Sequence, residues 1–304
     1  MTSSNRQPRG PLMLRPMVCT SVGLVGNVLL TAGKLAVGII AGSASLVADG
    51  FHSFSDLAGD VGVLVALKAS TQPPDDDHPY GHHSFETLGA LGASLLLLAT
   101  GVLLGREAVM NFVRHHHSHP EMPALYAALA SIVIKEGMAR YTFAAGRLHN
   151  SPALNANAVH HRSDALSSIA AAVGIGGALA GRPELDSLAA LMIAGLIVWM
   201  GLGLLRDNAM ILLDTQPDEA ILERIRGAVM SVDGICSVSS LRVRPQGSVY
   251  LADLAVTVLP DLSVHAGHEL ADLVEQAIHI AVPDVVDAVV HVEPHTGHCN
   301  RCCT

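Results

Sequence analysis

The sequence predicts an α-helical membrane protein with six transmembrane helices, followed by a cytoplasmic α+β domain. Half of the 304 residues are hydrophobic and only 15% are charged, whereas a soluble domain holds roughly 25% charged residues. Six segments are long enough to cross a bilayer, which takes about 20 mainly apolar residues. After about residue 208 the apolar runs stop and shorter amphipathic elements begin.

The predicted spans are separated by short polar segments. They cover roughly residues 15–41, 45–69, 86–112, 123–147, 153–180 and 185–206. Arginine and lysine lie mostly on one side of this arrangement, so the positive-inside rule places both termini in the cytoplasm. Residues 1–208 are therefore predicted to form a multi-pass transmembrane domain, and the short loops favour a bacterial inner membrane.

The rest of the chain reads as a small mixed domain. Apolar residues at helical spacing begin it, and two alternating segments, VSSLRVR and SVYLADLAVTV, read as strands. A second amphipathic helix over residues 263–281 and a third strand, DAVVHVEP, follow. The order αββαβ is expected over residues 209–294, before a His/Cys-rich tail at 295–304. The net charge of −9 argues against nucleic acid as a partner.

A polar stripe runs along the second predicted span. Asp49, His52, Asp56 and Asp60 share one helical arc of about 80°. Charged groups at this depth are costly, so the stripe must face protein or water. The fifth span repeats the spacing of His52 and Asp56 four residues apart, with His160 and Asp164.

Two such pairs on facing helices would supply two imidazole nitrogens and two carboxylates, a tetrahedral set for a divalent cation. Asp49 and Asp60 are expected to line the access path, and a protonated, hydrogen-bonded Asp60 is the alternative. The other interpretation of both pairs is structural polar contact between helices.

Three segments in this order, GSASLVADGFHSFSD, PPDDDHPYGHHSFETL and HHRSDALSS, resemble the cation diffusion facilitator family. The resemblance covers nearly the whole chain and implies a homodimeric antiporter that exchanges metal ions for protons. It maps the transport ligands onto His52, Asp56, His160 and Asp164, a set similar to that of the zinc transporters. Zn²⁺ is the expected substrate, although imidazole and carboxylate also suit Fe²⁺, Co²⁺, Mn²⁺, Ni²⁺ and Cd²⁺.

The resemblance also implies metal sites outside the spans. Asp75, His78 and His82 match positions where some members bind a metal between the membrane and cytoplasmic domains; a solvated acidic turn is the alternative. In the cytoplasmic domain, His268, His291 and Glu293 occupy places comparable to ligands, but Ala255 replaces a common histidine. The tail concentrates further soft ligands, whose alternative is a disordered segment with incidental thiols: His295, His298, Cys299, Cys302 and Cys303.

One position departs from the family pattern. Ser84 stands where a lysine often pairs with an aspartate at the end of the sixth helix, here Asp214. The charge link between the domains is therefore expected to be absent or made differently.

Two functions from other classes compete with transport. A membrane metalloenzyme would keep an open coordination position for water, whereas four side chains close this shell and no separate nucleophile or base stands nearby. A metal sensor or scaffold without transport would not need the ligand pairs on two spans. We therefore predict a transporter that is not an enzyme and that works by alternating access.

Overall fold

The computed structural model describes residues 16–114, 119–149 and 152–296. Six long helices come first within these ranges. They are α1 (Pro16–Ile40), α2 (Ala44–Ser70), α3 (Ser84–Val113), α4 (Met122–His149), α5 (Pro152–Leu179) and α6 (Glu184–Leu212).

Four of these helices are long and apolar enough to cross a membrane, judged by length and composition over the described residues. They are α1, α3, α4 and α6. Helices α2 and α5 fall outside this group, although each exceeds 25 residues in length. Both carry the predicted His–Asp pairs, and charged and imidazole side chains lower the mean hydropathy of a span. The apolarity of the helices thus supports four of the six predicted spans.

The beginning of α2 is fixed by a buried carboxylate. Gly42 has φ +64°, which glycine adopts without strain, and the Ser43 hydroxyl caps the helix by accepting from the Leu46 N–H at 3.2 Å. Asp186, at the start of α6, accepts from the Ser43 hydroxyl at 2.9 Å and from the Ala44 N–H at 2.8 Å. It also accepts from the Ser45 hydroxyl. One side chain therefore holds the first turns of two helices together.

Small residues let the helices approach closely. A Cβ atom added at Gly174 of α5 would lie 2.4 Å from the Ala189 Cβ of α6. Further along α6, a Cβ at Gly101 of α3 would lie 2.9 Å from side-chain atoms of Ile197 and Val198. Membrane helices associate through such small-residue contacts because lipid provides no hydrophobic drive between them.

The last five elements form the predicted αββαβ domain. They are α7 (Glu219–Met230), β1 (Ser237–Gln246), β2 (Val249–Val258), α8 (Val264–Ala281) and β3 (Val285–Pro294). The sheet order is β1-β2-β3, with β2 antiparallel to β1 and parallel to β3. Ile225 of α7, Val256 of β2 and Ile278 of α8 are fully buried in one core, so the αββαβ prediction is confirmed.

The contacts divide the chain into two compact units. One unit contains residues up to 61 together with 92–203, and the other contains residues 62–91 together with 204 onwards. The loop between α2 and α3 is therefore grouped with the C-terminal domain.

Candidate metal centre

Helices α2 and α5 bring three of the four predicted transport ligands together. His52, Asp56 and Asp164 each offer one ligand atom, and these atoms lie within 4.8 Å of one another. The i, i+4 spacing places His52 directly beside Asp56, with the Nδ1 atom 3.7 Å from Oδ2. A single cation between the two helices can contact all three side chains.

Three buried polar atoms at this group have no hydrogen-bond partner among the described residues. They are His52 Nδ1, Asp56 Oδ2 and Asp164 Oδ1. Leaving a buried donor or acceptor unsatisfied costs about 1–3 kcal/mol, and more for a charged group. Native proteins keep few such atoms, so each one requires an explanation. A bound cation would satisfy all three of them.

His160 lies at the edge of the group rather than inside it. Its Nδ1 atom is 3.8 Å from Asp164 Oδ1, and 40% of its side chain is exposed, against 4% for Asp164. The structure therefore assembles His52, Asp56 and Asp164 and leaves His160 adjacent to them.

Two buried lysines that were not among the predicted site residues pair with aspartates of α2 and α5. Lys135 of α4 places Nζ 2.6 Å from Asp164 Oδ2 and donates to Asn27 Oδ1 of α1 at 2.9 Å. Lys34 of α1 places Nζ 2.8 Å from Asp49 Oδ2. The rule that singled out the aspartates, that a charge within an apolar span is functional by default, applies equally to KLAVG and VIKEG and would have found both lysines.

Asp49, which was predicted to line the access path, makes hydrogen bonds and an ion pair with residues of α1 and α5. Its side chain is fully buried, and its Oδ2 atom accepts from Ser168 at 2.8 Å as well as pairing with Lys34. The other oxygen, Oδ1, accepts from Ser167 at 2.6 Å. Since both oxygens are occupied and no part of the side chain reaches the surface, Asp49 is suited to holding α1, α2 and α5 together rather than to guiding ions.

Asp60 remains a candidate for the path. It lies one helical turn beyond Asp56 on α2 and is exposed. His161, the neighbour of His160, is buried, and both of its ring nitrogens lack a hydrogen-bond partner among the described residues. The structure brings neither residue into the group of three ligand atoms.

The loop between α2 and α3 holds a second candidate group. Ligand atoms of Asp75, His78 and His82 lie within 4.8 Å of one another. Asp75 Oδ2 is 3.2 Å from His82 Nε2, and Asp75 Oδ1 is 3.3 Å from His78 Nδ1. His82 is held in place at its other nitrogen, where Nδ1 lies 3.1 Å from the Pro73 carbonyl oxygen. This orients the His82 ring toward Asp75, as a carbonyl does for many metal-binding histidines.

The backbone of the loop favours the charged form of Asp75. The His78 N–H donates to Asp75 Oδ1 at 2.7 Å, and this hydrogen bond, with the neighbouring histidines, lowers the pKa of the carboxyl below its ordinary value. A lowered pKa means that the bond stabilises the loop at neutral pH and that this stabilisation is lost as the pH falls through the lowered pKa. The ionised carboxylate is the form that can bind a cation.

The predicted cytoplasmic ligands do not form a comparable group among the described residues of one chain. His268 is paired with Asp272 at 3.9 Å, and His291 with Glu293 at 3.9 Å. Glu293 also accepts from the Ser239 hydroxyl at 2.8 Å. His295 lies 3.1 Å from the Thr257 hydroxyl, and the other predicted tail ligands, His298, Cys299, Cys302 and Cys303, lie outside the described residues.

Asp214 pairs with a residue other than Ser84. Arg244 of β1 places Nη1 3.5 Å from Asp214 Oδ2, just after α6. The same guanidinium lies 5.8 Å from the ring centroid of Tyr80 in the α2–α3 loop, within the range of a cation–π contact. An arginine of the sheet thus contacts both the segment that follows α6 and the α2–α3 loop.

Comparison with known proteins gives matches to both parts of the chain. Residues 21–213 match a family model described as the cation efflux transmembrane domain. Residues 217–295 match a model described as the cytoplasmic domain of cation efflux proteins.

Full-length relatives cover most of the chain. Metal tolerance protein 2 of Oryza sativa subsp. japonica is 36% identical, over 89% of this chain and 76% of that protein. The manganese efflux system protein MneP of Bacillus subtilis (strain 168) is 31% identical, over 90% of this chain and 94% of that protein. A solved structure of a MamM-CTD variant is 29% identical over 26% of this chain and 98% of that chain, with a TM-score of 0.25.

Proposed function

Because this chain belongs to the cation efflux family of divalent metal transporters, we propose that the transported ion binds between α2 and α5. His52, Asp56 and Asp164 contact the ion, and His160 joins them when its side chain turns inward. The observation that supports this site most directly is the set of three buried, unpartnered atoms within reach of one cation. Asp60 lies on the route to the site from one side of the membrane.

Zn²⁺ is the first candidate for the transported ion. With His160 included, the site offers two imidazoles and two carboxylates, which is a common tetrahedral set for zinc. Mn²⁺ is the second candidate, for two reasons. The three ligands already assembled are one imidazole and two carboxylates, an oxygen-rich set that suits harder ions, and one relative is named for manganese efflux.

Protons are the counter-ions in this proposal. A ligand must lose its proton before it binds a metal, so metal binding and proton release are linked. Imidazole titrates near neutral pH, and protonation from the far side of the membrane expels the metal. The transporter alternates between a site open to the cytoplasm and a site open to the opposite side.

The assembly around the site follows from the same proposal. Helices α2 and α5 cross the membrane with the four more apolar helices, giving six spans with both termini in the cytoplasm of a bacterial cell. Two copies associate through their cytoplasmic domains. Metal bound at Asp75, His78 and His82, or at the His/Cys tail together with His268, His291 and Glu293, regulates transport from the cytoplasmic side.

Transport by purified protein in proteoliposomes tests the site. Asp56→Ala and Asp164→Ala should each reduce uptake of Zn²⁺ and Mn²⁺ at least about 100-fold, since each removes a charged ligand worth several kcal/mol. Asp261→Ala, at an exposed acid outside both groups, is the control and should transport normally. Wild-type rates in a folded Asp164 variant would show that the ion binds elsewhere.

Two further measurements test the ion and the counter-ion. Competition among Zn²⁺, Mn²⁺, Fe²⁺, Co²⁺, Ni²⁺ and Cd²⁺ in the same assay ranks the substrates. An imposed proton gradient, acidic on the side to which metal is delivered, should accelerate uptake, and uptake that ignores the gradient would exclude antiport. Metal binding without any uptake would instead support a sensor.

A further inference from the structure

We propose that Lys135 is a fixed cation of the transport site that competes with the metal ion for Asp164 and keeps the affinity of the site low. The proposal rests on the transport site described above. Lys135 acts as a positioning residue, because it contacts the ligand Asp164 rather than the metal.

The two oxygens of Asp164 have different surroundings. Oδ2 is 2.6 Å from Lys135 Nζ, whereas Oδ1 is 3.8 Å from His160 Nδ1 and has no hydrogen-bond partner among the described residues. Oδ2 is therefore paired with the lysine, and Oδ1 is available to a metal ion. The carboxylate can bind a metal through Oδ1 while Lys135 remains on Oδ2.

Lys135 is held beside the site by two anchors. Besides Asp164, its ammonium donates to Asn27 Oδ1 of α1 at 2.9 Å, and only 2% of its side chain is exposed. A buried side chain with two partners on different helices cannot swing out to solvent without leaving both of them unpaired. Its positive charge is consequently a permanent feature of the space next to the metal.

The Lys34–Asp49 pair shows what a purely structural version of this arrangement looks like. Lys34 bonds Asp49 Oδ2, Ser168 donates to the same oxygen and Ser167 donates to Oδ1, so both Asp49 oxygens have protein partners. Lys34 also donates to the Ser53 and Ser168 hydroxyls. Both oxygens of Asp49 are thus already taken by protein groups. The Lys135–Asp164 pair differs because Asp164 Oδ1, which lies beside the ligands of α2, has no hydrogen-bond partner among the described residues.

Counting charges gives the direction of the effect. When both carboxylates are ionised, they and Lys135 give the metal-free site a charge of −1, and a divalent ion changes this to +1. Without the lysine the same states carry −2 and 0. Since unlike charges attract and like charges repel more strongly at low dielectric, Lys135 stabilises the empty site and destabilises the loaded one. A transporter gains from this, because an ion that binds too tightly is released slowly.

Metal binding to full-length protein in detergent tests the charge, with Mn²⁺ and Zn²⁺ used in turn. The Kd to be compared is that of the metal site that is present in the wild type and lost in Asp164→Asn. At this site, Lys135→Gln and Lys135→Met should lower the Kd at least about tenfold, whereas Lys135→Arg, which keeps the charge, should stay within about threefold of wild type. The double variant Lys34→Gln/Asp49→Asn is the matched control, because it removes a buried lysine together with its carboxylate and leaves the net charge near the site unchanged, and it should change the Kd less than about threefold.

Uptake by proteoliposomes separates this role from a structural one. Tighter binding with slower release should lower both the KM and the maximal rate of Lys135→Gln, whereas loss of structure would lower the maximal rate and leave or raise the KM. If folding is impaired, the metal-dependent shift in melting temperature still reports the Kd of the folded fraction.

The outcomes distinguish the two proposals. If Asp164→Asn removes no metal site, the transport site itself is misplaced. If it removes one, but loss of the Lys135 charge leaves the Kd unchanged or raises it, the competing role of Lys135 is wrong and the transport site stands.

Discussion

Asp49 and Asp164 are both buried aspartates that pair with a buried lysine, but the other contacts of their carboxylates differ. Asp49 has partners on both oxygens, whereas Asp164 keeps one oxygen free of hydrogen bonds to the described residues. A buried carboxylate whose two oxygens both have protein partners is suited to a structural role, whereas one with an unpartnered oxygen facing other candidate ligands is able to bind a cation. At the scale of single residues, the completeness of the bonding distinguishes the two roles.

This difference predicts the effect of Asp49→Asn. The variant leaves Lys34 as a buried charge without its carboxylate, and breaking a buried ion pair from one side costs about 3 kcal/mol or more. We expect the free energy of unfolding in detergent to fall by that amount, and any loss of metal affinity at the α2–α5 site to accompany this loss of stability, because Lys34 is then an unpaired positive charge. A large loss of metal affinity with unchanged stability would return Asp49 to the ion path.

At the residue scale, the sequence predicted the candidate metal ligands but not the lysines that pair with aspartates of the same helices. The i, i+4 spacing identified His52, Asp56, His160 and Asp164 as candidate ligands, since that spacing places two side chains on one helical face. It did not indicate that Lys135 pairs with Asp164 or that Lys34 pairs with Asp49, because these lysines come from other helices. Which helices are neighbours depends on how they pack, and the sequence of a single span does not indicate its neighbours.

At the scale of elements, close helix approach depends on individual glycines. A Cβ atom added at Gly174 would have the Ala189 Cβ and the Leu185 carbonyl oxygen within 3.0 Å, whereas one added at Gly176, half a turn further along α5, would have nothing within 4 Å. Only Gly174 of these two glycines is therefore needed for the close approach of α5 to α6. Helix composition predicted α5 as a span but gave no means of choosing between them.

These two glycines allow a matched comparison. Gly174→Ala inserts a methyl group into the α5–α6 contact and forces the helices apart, so we expect it to lower unfolding stability by about 1–3 kcal/mol. Gly176→Ala meets open space and gains up to about 1 kcal/mol of helix propensity. Unfolding of both variants in the same detergent measures the difference, and equal stabilities would show that α5 and α6 do not pack closely at Gly174.

At the scale of the whole molecule, the α2–α3 loop is grouped with the C-terminal domain. Gly247, in the β1–β2 turn, has φ +64°, and a Cβ there would lie 2.5 Å from the His83 carbonyl oxygen. The turn therefore touches the loop that holds Asp75, His78 and His82. The sequence predicted the αββαβ domain and the metal-ligand spacing of the loop, but their contact depends on how the chain folds back after α6.

Gly247→Ala tests this contact. The added methyl group strains the positive φ and collides with the His83 carbonyl, so the loop must move. We expect a loss of about 1–3 kcal/mol in unfolding stability and faster proteolysis within residues 71–83. Gly227→Ala, in α7 with nothing within 4 Å, is the control. An unchanged cleavage rate would mean that the loop does not depend on the turn.

The carboxylate of Asp186 has a mechanical consequence for the site. Because it binds the Ser43 hydroxyl, the Ala44 N–H and the Ser45 hydroxyl, α2 is anchored to α6 at its first turn, and a tilt of α2 about this end would move each residue in proportion to its distance from it. A helix rises about 1.5 Å per residue, so His52 lies on a lever arm of roughly 13 Å and Asp60 on one of roughly 25 Å. The same small rotation therefore displaces Asp60 about twice as far as His52, so the exposed end of the polar stripe moves further than its buried end.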